Sequence, residues 1–337
     1  MVTLRNIIRN IAPYKLRMHL RDVLEDISRI SPGKPFGIPK HGLLSTQVYP
    51  KGSNLLPVLL DATKQKLSGL NLTSDTPVAS IGTCFAEEFA NFMLKKGFNY
   101  LQKEDDIYSA SANWGRVYTI PNLLQIVKYS TDDSYPLILE YCELGWFDPL
   151  RERTRKNFTD KNSAEAALIK HRKASYEALT SCEILVITLG QNEAWIDTSS
   201  NIVWANKPPK SILEKNDDQY SAVEFSYEKN LSDLKEIVNI LQTVNKNIKI
   251  LFTVSPVASH ASFSDIDVVT QSFSNKCLLR TVVNYAVSIQ PEKLYYFPSF
   301  EMALCDNPRN FCADNRHVQY SMKNRIFTLF SKSTFTG

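Results

Sequence analysis

Residues 77–89, PVASIGTCFAEEF, join a short buried run to a helical pattern across Gly82. The run 77–81 is apolar at almost every position, which is typical of a strand covered on both faces. A helical pattern follows from Phe85 to Lys96, so a strand passes almost directly into a helix. This stretch predicts the first strand–helix unit of an α/β chain.

The same alternation continues to residue 297. Helical patterns cover 121–129, 161–180, 225–244 and 272–287, and apolar runs cover 184–189, 248–254 and 294–297. Buried strands separated by helices predict a three-layer α/β domain with a doubly wound parallel sheet and helices on both faces, over residues 75–330. In such sheets the ligand site lies beyond the carboxyl ends of the strands.

Composition and charge exclude several classes of protein. The 337 residues are 43% hydrophobic and 22% charged, which is ordinary globular composition. No apolar run reaches the roughly 18 to 20 residues of a membrane span, and no secretory signal is visible, so we expect a soluble, cytoplasmic protein. The first forty residues carry a net charge of +5 and the rest −1. The main body therefore has no basic stripe for nucleic acid.

Residues 1–57 form a predicted N-terminal extension. Residues 1–31 have helical spacing of Leu and Ile with an excess of Arg, and a Pro/Gly-rich connector follows over 32–57. We favour a helix packed on the domain with solvated basic residues, because Pro13 splits the apolar stripe and three acidic residues dilute the charge. The alternatives are weak contact with an anionic membrane surface and docking onto a partner protein.

Of six cysteines, Cys84 has the most suggestive position. No CxxC motif or Cys/His cluster has zinc-ligand spacing, so we expect free thiols and neither a metal nor a cofactor. Cys84 starts the first helical pattern, where the helix dipole favours a thiolate, but Glu87 and Glu88 oppose this effect. The plainer alternative is a buried thiol behind the first strand.

Two further segments offer groups that can hold an oxyanion. Gly115 lies in the loop SANWGRVYT, where a glycine lets the backbone approach a ligand and present its N–H. Asn192 follows a buried strand in LGQNEAW, where its amide can donate to an oxyanion. Each has an ordinary alternative, a turn glycine and a helix-capping asparagine.

The segment 313–317, ADNRH, supplies an acid–base pair. At a spacing of three residues on a turn, Asp314 can orient His317 and stabilise its charged form. His260, near the end of the strand at 248–254, is the reserve candidate for the base. The remaining histidines, at 19, 41 and 171, are interpreted as surface or satisfied core residues.

Taken together, these residues resemble the GSCFA family, which is similar to the SGNH hydrolases. The chain presents a nucleophile, a glycine, a Gly-x-Asn block and an Asp-x-x-His block in the SGNH order. Residues 82–86, GTCFA, match the family's Gly-Ser-Cys-Phe-Ala, with Thr83 in place of Ser, and Gln191-Asn192 stands where many members have Leu-Thr. Further similar segments are 115–125 (GRVYTIPNLLQ), 147–149 (FDP), 188–195 (TLGQNEAW), 253–257 (TVSPV), 275–280 (NKCLLR) and 296–301 (YFPSFE).

The resemblance implies an SGNH-hydrolase (flavodoxin-like) fold and an acyl esterase or acyltransferase that uses a Cys84 thioester. The implied roles are base for His317, orienting acid for Asp314, and oxyanion donors for Gly115 and Asn192. The implied substrate is an acylated small molecule or glycan. The alternatives are a pseudo-hydrolase or glycan-binding module without turnover, and a thiol redox sensor, for which no resolving cysteine lies nearby in sequence.

Overall fold

A computed structural model describes residues 47–49, 55–104, 110–152, 157–215, 217–305 and 310–335. The predicted helix over 1–31 lies outside these residues. The elements below all lie within one unit, residues 49–337. None of the described helices combines the length and the apolar character that a bilayer span requires.

The central sheet has four parallel strands. They are β1 (Val78–Gly82), β4 (Ile184–Leu189), β8 (Lys249–Val254) and β9 (Leu294–Tyr296), side by side in that order. Tyr100 forms a parallel bridge with Val78 on the outer edge of β1, so the chain first turns to one side of β1 and later adds β4 on the other. This reversal makes the sheet doubly wound and confirms the predicted fold class.

Helices cover both faces of this sheet. One layer contains α1 (Leu55–Leu67), α2 (Cys84–Lys95), α8 (Ser299–Cys305) and α9 (Tyr320–Thr334). The opposite layer contains α3 (Ile120–Thr131), α4 (Lys161–Ser181), α6 (Tyr227–Val244) and α7 (Val268–Ile289). Ile184 and Val186 of β4 enter the first core, whereas Leu185, Ile187 and Leu189 enter the second. Two cores explain why this strand is apolar throughout.

Two small antiparallel sheets were not predicted. Strands β2 (Glu140–Cys142) and β3 (Gly145–Phe147) form a hairpin. Strand β5 (Glu193–Asp197) pairs with β6 (Ile202–Trp204) and β7 (Tyr220–Glu224), and the short helix α5 (Lys210–Leu213) lies between the last two in sequence. The second sheet begins directly after β4, so it stands beside the carboxyl edge of the central sheet.

Gly82 permits the close approach of β1 to β4. Its φ of 144° is one that other residues rarely adopt, and a Cβ there would lie 2.2 Å from the carbonyl oxygen of Thr188. Backbone cannot move aside as a flexible side chain can. Gly82 is therefore required where β1 passes into the turn before α2.

We expect Gly82→Ala to lower the free energy of unfolding by about 3 kcal/mol, from the unfavourable φ and the overlap with Thr188. Gly97→Ala is the matched control, because Gly97 also has a positive φ (72°) but a Cβ there would have no neighbour within 4 Å. The control should cost only about 1 kcal/mol. Urea denaturation measures both, and equal losses would show that the Thr188 contact does not matter.

Candidate active site

Three segments meet at the carboxyl edge of the sheet, where the winding reverses. The turn after β1 contains Thr83, and the turn after β4 contains Gly190, at which an added Cβ would lie 2.4 Å from Thr83 Cγ2. The third segment is the loop before α3, where the carbonyl oxygen of Tyr118 accepts the N–H groups of Gly190 and Gln191 at 3.1 and 2.9 Å. This is the position at which doubly wound sheets bind ligands.

Cys84 lies in this region and is the first residue of α2. Thr83 is the helix N-cap, and its Oγ1 accepts a hydrogen bond from the Phe85 N–H at 3.2 Å. The Cys84 thiol is half-buried and faces a cavity of about 400 Å³. Other residues that line the cavity are Thr83, Arg116, Tyr118, Asn122, Gln191, Glu193, Trp195, Trp204, Lys207, His260, Lys276, Arg316 and His317.

The electrostatic surroundings of Cys84 act in opposite directions. Burial raises the pKa of the thiol, the charges of Arg116 and Lys276 lower it, and Glu87 and Glu88 raise it. Burial is the largest effect, so the pKa lies above its ordinary value. A nucleophilic role for Cys84 therefore calls for a base that takes the thiol proton.

His317 and Asp314 form a pair at the rim of the cavity. His317 Nδ1 lies 2.5 Å from Asp314 Oδ2, while Asp314 Oδ1 accepts the N–H groups of Arg316 and His317, each at 3.0 Å. These hydrogen bonds hold the pKa of Asp314 well below its ordinary value, so the carboxylate stays ionised. Because Nδ1 faces Asp314, Nε2 is the imidazole nitrogen suited to exchange a proton with a substrate or thiol.

His260 lines the same cavity in a different setting. Its Nδ1 lies 3.3 Å from Arg316 Nη1, and the same guanidinium donates to the Ala258 carbonyl oxygen. Among the described residues no carboxylate contacts His260. A protonated imidazole would face a guanidinium instead of a carboxylate, which favours His317 as the base.

Gly115 is near the cavity but does not line it. It has a φ of 68°, which suits glycine, and it borders a smaller space of about 20 Å³ together with Thr83 and Arg116. Its neighbour Arg116 reaches the main cavity. The loop that contains Gly115 therefore approaches the turn before Cys84.

The expectation for Asn192 has to be corrected. Its side chain is fully buried, and Nδ2 donates to the carbonyl oxygen of Phe225 at 2.8 Å and to Glu224 Oε1 at 3.4 Å. Its Oδ1 accepts from Asn230 Nδ2 at 2.7 Å. These bonds join the start of β5 to the start of α6, so the amide does not point at an oxyanion in the cavity, although Gln191 beside it lines that cavity.

Sequence reasoning assigned no role to Lys276. This lysine is only 2% exposed, and its Nζ donates to the carbonyl oxygen of Gly190 at 2.5 Å. Burial lowers its pKa to about 7. A signal was present in the sequence, because Lys276 shares the face of α7 that carries Leu279 and Val283, where a lysine is unexpected.

Within the described ranges, no group of three or more His, Cys, Asp and Glu residues could hold a metal ion. The cavity instead combines a thiol, an imidazole with its carboxylate, and several cations.

The family model described as the GSCFA family matches residues 77–330, most of the chain. The chain belongs to the GSCFA family. Among solved structures, it is similar to a carbohydrate esterase family 3 protein from Talaromyces cellulolyticus, with 10% identity and a TM-score of 0.32 over 76% of this chain and 95% of that one. A likeness this distant supports no functional conclusion. The comparison with curated proteins gives no match.

The corrected position of Asn192 makes it a structural residue of this GSCFA protein. We expect Asn192→Ala to lower the free energy of unfolding by about 2 kcal/mol, because it leaves buried polar groups without their partner. Gln191→Ala, the neighbouring change on the cavity side, should cost less than about 0.5 kcal/mol. Thermal and urea denaturation check both values. A stable Asn192→Ala protein that has lost only activity would restore the oxyanion role.

Proposed function

We propose that this GSCFA protein is an acyl esterase or acyltransferase that works through a thioester on Cys84, with a glycan or glycoconjugate as substrate. The observation that carries the proposal is one cavity lined by a thiol at a helix N-terminus and by a histidine oriented by an ionised carboxylate. A nucleophile, a base and an orienting acid are the groups that covalent acyl transfer needs.

In the first half-reaction, His317 Nε2 takes the proton of the Cys84 thiol. The sulfur lone pair then attacks the carbonyl carbon of the acyl ester, and the C=O electron pair moves onto oxygen. When this tetrahedral intermediate collapses, the bond to the alcohol oxygen breaks, and the imidazolium returns its proton to the leaving alkoxide. The acyl group remains on Sγ, and Asp314 stabilises the imidazolium while it exists.

In the second half-reaction a hydroxyl group attacks the thioester. The hydroxyl gives its proton to His317, its oxygen bonds to the acyl carbon, and Cys84 leaves as the thiolate and recovers a proton from the imidazolium. Water gives hydrolysis, and a sugar hydroxyl gives transfer. Because His317 is 51% exposed in its side chain, either acceptor can reach it.

Backbone N–H groups are the proposed oxyanion donors. As the first residue of α2, Cys84 has an N–H without an intrahelical partner, and the helix dipole points its positive end at the cavity. The Gly115 N–H remains the second proposed donor. Arg116, which lines the cavity and whose charge acts on Cys84, adds positive charge beside the developing oxyanion.

The far wall of the cavity supports a substrate rich in hydroxyl groups. Trp195 and Trp204 of the β5–β6 pair line it together with Asn122 of α3. A sugar offers apolar C–H faces for the aromatic rings, and its hydroxyl groups can bond to polar side chains on the same cavity, such as Gln191 and Lys207.

The same wall would also serve a glycan-binding module without turnover, which is the second candidate. Such a module would bind glycans equally well with and without the Cys84 thiol. Turnover is therefore the measurement that separates the two functions.

Cys84→Ala should abolish turnover of the ester that the wild-type protein cleaves best, and it should leave the melting temperature within a few degrees of wild type. Cys84→Ser should retain weak activity, because a hydroxyl in the same position is a poorer nucleophile here. The measurement is hydrolysis and transfer with a panel of acyl esters and thioesters, combined with intact mass after rapid quenching. Wild-type protein should show an acyl adduct on Cys84.

Cys277→Ala is the control, since it removes an exposed thiol outside the cavity. Full activity in Cys84→Ala would disprove the covalent mechanism. Glycan binding without turnover in the wild-type protein would favour the binding module.

His317→Ala should reduce kcat/KM by at least about 10²-fold, the usual minimum for loss of a general base. His260→Ala is the matched comparison, because both imidazoles line one cavity but only His317 has a carboxylate partner. It should reduce kcat/KM less than tenfold, and Asp314→Asn should fall between the two. The opposite ranking of the two histidines would move the base to His260.

A further inference from the structure

Lys276 is a buried cation for which the described residues supply no carboxylate. It lies in the middle of α7 and is 2% exposed, and its Nζ donates to the carbonyl oxygen of Gly190. No ion pair with a described Asp or Glu is formed at this lysine. Buried lysines are normally paired, because an unpaired ammonium loses its hydration without compensation.

A series of contacts links the Lys276 ammonium to Cys84. The Gly190 carbonyl holds Lys276 Nζ, the Gly190 Cα packs against the Thr83 methyl group, and Thr83 precedes Cys84. Lys276 and Cys84 line the same cavity, and the charge of each acts on the other. The negative group that this lysine lacks in the resting site is therefore the one that Cys84 becomes during the reaction.

We propose that Lys276 is a positioning residue that acts through Cys84, with its ammonium as the counter-ion of the thiolate. This deepens the proposed function, because it assigns the stabilisation of the sulfur charge to a residue outside the thiol–imidazole–carboxylate set. The thiol proton goes to His317 Nε2, the electron pair of the broken S–H bond stays on sulfur, and Lys276 keeps its three protons and forms no covalent bond.

Other charged groups also act on Cys84 and Lys276. The charge of Arg116 lowers the pKa of Cys84, whereas those of Glu87 and Glu88 raise it. Both glutamates already have partners, Arg116 and Lys323 respectively. The charge of Arg316 opposes that of Lys276. His260 and His317 lie on the same cavity. Of the two cations that favour the thiolate, only Lys276 is almost completely buried, so its charge is the less screened by solvent.

The test is the pH dependence of Cys84 alkylation by iodoacetamide, followed by peptide mass spectrometry on the full chain. Iodoacetamide reacts with the thiolate, so the rate against pH reports the Cys84 titration without any substrate. The decisive comparison is made at pH 6, below the Lys276 pKa of about 7, where the wild-type lysine is charged. There Lys276→Met should slow alkylation by about tenfold or more, since a nearby opposite charge typically shifts a pKa by 1 to 3 units. Lys276→Arg keeps a positive charge and should restore much of the wild-type profile.

Lys276→Gln separates the charge from the hydrogen bond. Glutamine retains a donor for the Gly190 carbonyl but no charge, so it should behave like the Met variant in alkylation and remain folded. Lys235→Met is the control, because Lys235 is exposed on α6 and contacts Tyr285 rather than the cavity. With the best ester, kcat should fall at least about tenfold in the Met and Gln variants, with a smaller change in KM.

Three outcomes decide the question. Slower alkylation at pH 6 in both uncharged variants, restored by Arg, supports the counter-ion role even if no ester is ever turned over, so it stands apart from the proposed function. An unchanged alkylation rate at pH 6 in a folded Gln variant would overturn the inference, and Lys276 would then only hold Gly190 in place. If the Met variant does not fold, the Gln variant supplies the same comparison.

Discussion

The approach of β1 to β4 at Gly82 is the constraint on which the rest of the site depends. Gly82 lies against the Thr188 carbonyl with a backbone conformation that a side chain would prevent. Because the strands are this close, the next residues also meet, and Thr83 packs against Gly190. The Gly190 carbonyl in turn receives Lys276 Nζ. One backbone contact thus brings together the turn before Cys84, the loop after β4 and the buried Lys276.

The Asp314–His317 pair is built by different means. Asp314 and His317 are exposed, and a local turn sets their geometry, with two backbone N–H groups on Asp314 Oδ1 and the Cys312 N–H on the His317 carbonyl at 2.7 Å. Asn315 has a φ of 56° within this turn, a conformation that asparagine tolerates. The orientation of the imidazole therefore comes from four neighbouring residues, while the sulfur depends on the whole sheet.

This difference explains what the sequence could predict. The strands at 184–189 and 248–254 were readable because burial on both faces makes them apolar throughout, and the Asp314–His317 pair because its geometry is local. Asn192 was misassigned because the partners that hold its amide, near residues 224–230, are more than thirty positions away. Strands β5 to β7 were missed because they are short and half-buried, and their pattern is weak.

Burial has opposite effects on the pKa values of Cys84 and Lys276, which line the same cavity. It raises the pKa of Cys84 and lowers that of Lys276 to about 7, so in both cases it favours the neutral form. A thiol beside a partly neutral amine costs little to bury, whereas a lone thiolate or a lone ammonium would be expensive. In the proposed mechanism the thiol proton moves to His317, so the new thiolate faces the ammonium that a charged Lys276 already carries, and the imidazolium faces Asp314. Under the proposed mechanism, such a site keeps the resting thiol unreactive, and Cys84 becomes nucleophilic only when its proton can move to His317.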